Sequence, residues 1–204
     1  MCIYEKNIFN ELNISYAVQQ IPNGRAKPLG TADALYQGLL SVSQWEGSSF
    51  IVCNSDNLYS VESFRTLQNS EYPNAMIDYD RNGLLFENER IRKFAITKKN
   101  SRGFLVDIIE KPNDEFIQLI EEKDGYIGVS MNIFKFSYDM IFPFLEKTPL
   151  DQERNEKELP TSVKMMITKY SDSVFAYPFN EHVPDLTFKK DIIPVQEYLK
   201  RIYE

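Results

Sequence analysis

The chain alternates short apolar runs with longer stretches in which apolar residues recur every three or four positions. Phe50 to Cys53 (FIVC) is an unbroken apolar run, the pattern of a strand buried on both faces. Further strands are predicted over 15–19, 75–79, 93–97, 105–109, 126–136 and 173–177. Ala32, Leu35, Tyr36, Leu39 and Leu40 share one face of a predicted helix, with Thr31 placed as its N-cap. Helices are also predicted over 5–12, 61–69, 113–122, 138–146, 160–170 and 189–203. The stretch IPNGRAKPLG must be a loop, because Pro22, Gly24, Pro28 and Gly30 all oppose regular structure. Strands and helices interleave without repeat, low-complexity tract or Gly/Ser linker. This predicts one α/β domain over residues 1–204, a three-layer arrangement of a mixed, mostly parallel sheet with helices on both faces. Ligands of such sheets bind beyond the carboxyl ends of the strands, the position Asp56 takes after FIVC.

Composition narrows the function classes. With 23 Lys and Arg against 30 Asp and Glu, the net charge is −7, which argues against a nucleic-acid partner. The eight glycines are scattered, and no two are spaced as in a phosphate-cradling loop of the dinucleotide or Walker kind. Cys2 and Cys53 make no disulfide framework, and Cys53 in its apolar run reads as a buried free thiol, which fits a reducing cytoplasm. No apolar stretch approaches the roughly 18 residues that span a bilayer, and the first residues lack a signal-peptide pattern, so no membrane partner is expected.

Four segments hold candidate chemistry, each with a plain alternative. In GRAKPLGTADAL, the helix start at Gly30 and Thr31 suits a polar or anionic ligand, Gly30 permits close backbone approach, and Arg25 and Lys27 add positive charge; a surface loop capping a helix would look the same. In Asn54-Ser55-Asp56-Asn57 a carboxylate can hold magnesium, although Asp and Asn also simply make turns. Glu110-Lys111-Pro112 offers a cation for phosphate and an acceptor for sugar hydroxyls, or a solvated charge pair. His182-Val183-Pro184-Asp185 holds the one histidine, which reads as structural, and a second carboxylate, Asp185.

The order of these segments is more specific than any one of them. PLGTADAL, then NSDN, then EKP, then E-x-x-L-P in EKELP, then a carboxylate near the C-terminus resembles the sugar nucleotidyltransferases, which join a sugar 1-phosphate to the nucleoside monophosphate of an NTP. GRAKPLGTADAL and VCNSDNLYS look like that family's nucleobase-binding and metal-binding segments, and the resemblance covers most of residues 14–193. It implies the following roles. Gln19 and the backbone at Gly30 and Thr31 read the base, with Arg25 and Lys27 on the same loop. Asp56 and Asp185 hold a catalytic Mg2+, Glu110 and Lys111 hold the sugar phosphate, and Asn132 lies near the sugar. The implied reaction is in-line attack of the sugar phosphate on the α-phosphorus with release of pyrophosphate, so catalysis is positioning and charge neutralisation without a general base or a protein nucleophile.

The family's opening strand and glycine-rich triphosphate loop have no counterpart here. Three expectations stay open: a fragment, half of a split protein, or a noncatalytic relative that binds sugar nucleotides. A missing central strand would bare a sheet edge, so a homo-oligomer covering that edge is expected.

Overall fold

The computed structural model describes residues 8–9, 12–110, 112, 113, 115, 117 and 125–203. One six-stranded sheet organises the domain: β3 (Ser49–Val52), β4 (Ala75–Asp80), β5 (Ala95–Lys99), β6 (Leu105–Ile109), β7 (Gly128–Ser137) and β8 (Phe175–Phe179). Along it the order is β6-β5-β7-β4-β8, with β3 also on β7. β3, β4 and β5 all run antiparallel to β7, and β8 runs parallel to β4. Four strands therefore share one direction, as expected. With β7 inserted against them, only the β4–β8 pairing is parallel among the described residues.

Successive side chains of the strands face opposite sides of the sheet, and both sides are covered in β4 and β7, which makes three layers. Ala75, Ile77 and Tyr79 of β4, with Val129, Met131 and Ile133 of β7, pack with Leu67 of α2 (Val61–Gln68) on one face. Met76, Phe134 and Phe136 face the other way, against α1 (Thr31–Leu40), α4 (Tyr138–Lys147) and α5 (Leu159–Lys169) through Ala32, Leu39, Ile141, Leu145, Val163 and Met166. A short α3 (Asn88–Ile91) precedes β5, and α6 (Ile192–Tyr203) ends the described chain. Ser60 caps α2 by accepting from the Ser63 N–H, and Pro160 sits in the first turn of α5, where its missing N–H costs nothing.

Several sequence expectations change. Within 5–12, the described residues are not helical: Ile8–Phe9 (β1) pairs antiparallel with Leu12–Asn13 (β2). A single eight-residue helix is too short to hold itself without packing. Residues 15–19 form no strand, and Ile14, Tyr16 and Val18 stay exposed. β3 is only half-buried and Cys53 is exposed rather than buried, because β7 is the sole described strand beside them. Gly30, not Thr31, is the N-cap of α1. The helix expected over 113–122 lies outside the described residues apart from Asn113, Glu115 and Ile117, of which the last two are helical.

One buried charge needs its partner. Asp78, on β4, is fully buried and takes hydrogen bonds from Thr97, Lys99 and Tyr126. Burial pushes its carboxyl pKa up, and the Lys99 ammonium opposes that. Gly128 stands opposite this group because any side chain there would strike the carboxylate and Thr97. Removing one member of a buried pair leaves the other uncompensated. Lys99→Met is therefore expected to lower unfolding stability by about 3 kcal/mol, read from urea denaturation. An unchanged midpoint would show that Asp78 does not depend on the ammonium.

Candidate functional site

The site grows from the geometry of β7. Phe134 pairs with both Val52 of β3 and Met76 of β4, and Val129 pairs with both Tyr79 of β4 and Ile96 of β5. β3 and β5 thus share one edge of β7, one at each end, while β4 runs along the other. Between them the register with β4 shifts, and Asn132 sits at φ 57°, a left-handed conformation that a non-glycine residue seldom takes. The bulge leaves a gap beside β7 that no strand fills. A cavity of about 200 Å³ opens there, lined by Thr31, Phe94, Glu110, Asn132, Arg154 and Glu158 among others.

This cavity brings together Thr31, Glu110 and Asn132, drawn from three separate segments of the sequence reading. It also contains two residues that reading missed, Arg154 and Glu158. The Arg154 Nη1 donates to Glu158 Oε1 at 2.6 Å. Loss of solvent pushes the Glu110 pKa up to about 7, helped by a hydrogen bond with, and the charge of, Glu158; Arg154 acts the other way. Glu110 therefore keeps a proton toward neutrality and presents a donor, beside the acceptors of Glu158, to a polyhydroxylated ligand. The E-x-x-L-P segment pointed to the neighbourhood of Glu158, but which of its acids turns inward depends on the path of the loop before α5.

The GRAKPLGT loop is fastened to that same stretch. Arg25 donates to the Asn155 carbonyl at 2.5 Å, and Lys27 pairs with Glu156 at 2.5 Å. The Lys157 N–H donates to the Leu29 carbonyl, the Ala32 N–H donates to the Lys157 carbonyl, and the Leu159 N–H donates to Thr31 Oγ1. Gly30 has φ 104°, and a Cβ there would stand 2.7 Å from the Lys157 carbonyl oxygen. The close backbone approach expected at Gly30 is thus made by the chain itself, and so is the use of the first helical N–H. The two cations expected to face a ligand here instead hold residues 155 and 156. Gln19 is held too, its Nε2 donating to the Gly30 carbonyl and to Asp33 Oδ2.

At the carboxyl end of β3, Asn57 and Asp185 form an isolated antiparallel bridge. The Leu58 N–H donates to the Pro184 carbonyl and the Leu186 N–H to the Asp56 carbonyl. Asp56 and Asp185, 129 positions apart, are thereby neighbours along the backbone pairing. The Asp56 side chain is exposed and suits Mg2+, which needs only one or two protein carboxylates. Asp185 is different: its Oδ2 meets Arg90 Nη2 at 2.7 Å and its Oδ1 accepts from Thr187 at 2.5 Å. Its side chain is committed to a cation of the chain itself. His182 is structural, its Nδ1 accepting from the Leu85 N–H and its ring lying between Phe86 and Tyr198. Burial and the charges of Arg201 and Arg90 keep it neutral by lowering its pKa. Lys111 lies outside the described residues.

Comparison with known proteins agrees with this geometry. The family model described as nucleotidyl transferase matches residues 3–180. A glucose-1-phosphate adenylyltransferase of Clostridium novyi (strain NT) is 23% identical over 163 residues, 78% of this chain and 38% of that protein. A crystal structure of UDP-glucose pyrophosphorylase complexed with UDP-glucose superposes with a TM-score of 0.61 at 17% identity, covering 86% of this chain and 64% of that one. The chain spans less than two thirds of either relative. At this identity the second likeness carries the fold alone.

The raised Glu110 pKa has a thermodynamic sign. The folded state holds a proton that the unfolded chain releases near 4.5, so the associated stability is present below that pH and is lost as pH rises through about 7. Glu110→Gln removes the dependence. Its melting temperature relative to the unsubstituted chain should rise between pH 5 and pH 8 in a thermal-shift series; a constant difference would show that Glu110 holds no such proton.

Proposed function

Because the chain belongs to the nucleotidyl transferase family, we propose that it acts on a sugar 1-phosphate and an NTP, forming a nucleoside diphosphate sugar and releasing pyrophosphate. The observation that carries this reading is the cavity beside the β7 bulge, where Thr31, Glu110 and Asn132 meet from distant segments. Glu110 with Glu158 takes the sugar hydroxyls, Asn132 stands at the sugar, and the base is read along the Gln19–Thr31 segment, whose shape is held by the Gly30 contact with Lys157 and by the Gln19 amide on Asp33. Lys111, next to Glu110, supplies a cation for the sugar phosphate. A sugar 1-phosphate is already anionic at neutral pH, so the reaction asks the protein for alignment and charge compensation rather than a base. Asp56 would hold magnesium, which would supply charge neutralisation for the phosphates. The setting is a reducing cytoplasm, in keeping with the exposed thiol of Cys53.

A second reading is favoured by one observation. Arg25 and Lys27 are engaged with Asn155 and Glu156, which suits a module that holds a sugar nucleotide without turning it over. The two readings separate in one assay. Pyrophosphate release from a panel of NTPs with sugar 1-phosphates should be Mg2+-dependent and fall at least 100-fold in Asp56→Ala. Calorimetric binding of a sugar nucleotide with no release by the unsubstituted chain would establish the noncatalytic reading. Gly30→Val does not distinguish them, since its side chain would strike the Lys157 carbonyl whether or not a ligand binds.

The exposed edge of β3 supports self-association. Ser49–Val52 carries apolar side chains and pairs on one side only among the described residues, and such edges recruit further strands. Light scattering at concentrations well above micromolar should give a dimer or larger species, and Ile51→Pro, which removes a backbone donor and breaks the strand, should shift it to monomer. A strictly monomeric unsubstituted chain would refute the interface.

A further inference from the structure

The second carboxylate beside Asp56 is clamped. Arg90, from α3, reaches Asp185 Oδ2 at 2.7 Å and also forks onto Asp191, with Nη1 to Oδ1 at 2.8 Å and Nη2 to Oδ2 at 3.2 Å. The three side chains are only 18%, 11% and 8% exposed for Arg90, Asp185 and Asp191. The guanidinium lies over the Phe86 ring at 4.8 Å and near that of Phe188. Asp191 Oδ2 accepts the Phe188 N–H at 2.7 Å, so the turn before α6 is built around the same group. Lys190 lines the same cavity of about 250 Å³.

We infer that Arg90 occupies the cation position at Asp185 and excludes a divalent metal from that carboxylate, leaving Asp56 as the metal-binding side chain. An arginine cannot be discharged at physiological pH, so no protonation change frees Asp185. A divalent ion approaching Asp185 would meet a fixed positive charge held by two carboxylates and two aromatic faces, and release of Arg90 would leave Asp191 buried without its partner. The Thr187 hydroxyl already occupies the other oxygen of Asp185. Asp185 is thus a positioning residue, fastening the 184–186 segment that pairs with Asp56 to α3 and to the start of α6. The inference rests on this geometry and not on the transfer reaction.

Mn2+ alone, followed by electron paramagnetic resonance and calorimetry on the full chain, tests it without any substrate. Asp185→Asn should bind Mn2+ within twofold of the unsubstituted chain, Asp56→Asn should lose binding, and Arg90→Gln should bind at least tenfold tighter. A tenfold loss in Asp185→Asn would overturn the inference, because Asp185 would then be a metal ligand despite the clamp. No gain in Arg90→Gln would also overturn it, since something other than the arginine would be keeping metal away. Circular dichroism checks folding. If Arg90→Gln is unfolded, Arg90→Gln/Asp191→Asn, which removes a buried charge together with its partner, takes its place with the same expected gain.

Discussion

Everything in this domain depends on β7 satisfying two edges at once. Its ten residues run against β4 on one side and against β3 and β5 in turn on the other. A strand with three partners whose registers do not coincide has to break its pleat somewhere. It does so at Met131–Ile133, with Asn132 in the left-handed region. Asn accepts that conformation at lower cost than other non-glycine residues, because its short amide can compensate locally. The same break keeps β3 and β5 apart and leaves the space that becomes the cavity.

Electrostatics inside the site are largely internal. Lys27 answers Glu156, Arg154 answers Glu158, and Arg90 answers Asp185 and Asp191. In an acidic chain the available cations are drawn onto its own carboxylates, and the loop at 22–31 is fixed by the segment at 151–158. Of these contacts the exposed Lys27 pair adds little stability, since solvent screens it, while the mostly buried Arg90 cluster holds three segments in register. Glu110 stands apart, since it lies beside a second acid and loss of solvent raises its pKa.

Much of the architecture was legible in the residues. Six of the seven strands expected, from FIVC to the 173–177 run, and the helices over 31–40, 61–68, 138–147 and 159–169 lie close to where periodicity put them, because each has a core face that repeats at its own period. The failures share a cause. SYAVQ read as a strand and FIVC as a strand buried on both faces, yet a strand pattern states only what a segment could pair with. The first pairs with no described strand and the second is covered on one side, so Cys53 is exposed. Of the helix expected over 5–12, the described residues Ile8, Phe9 and Leu12 pair as strands instead.

For the site, the sequence by itself determined which residue types were available and in what order, and that order was enough to identify the nucleotidyl transferase family. Only the tertiary structure decided which of them meet. Thr31, Glu110 and Asn132 converge because the β7 bulge holds neighbouring strands apart. Gly30 is needed for the approach of the Lys157 carbonyl, and Asp185 faces Arg90 because a strand-end bridge and a short helix bring them together. Contacts between residues 100 or more positions apart are set by packing and hydrogen-bond satisfaction across the whole sheet, and local spacing holds no record of them.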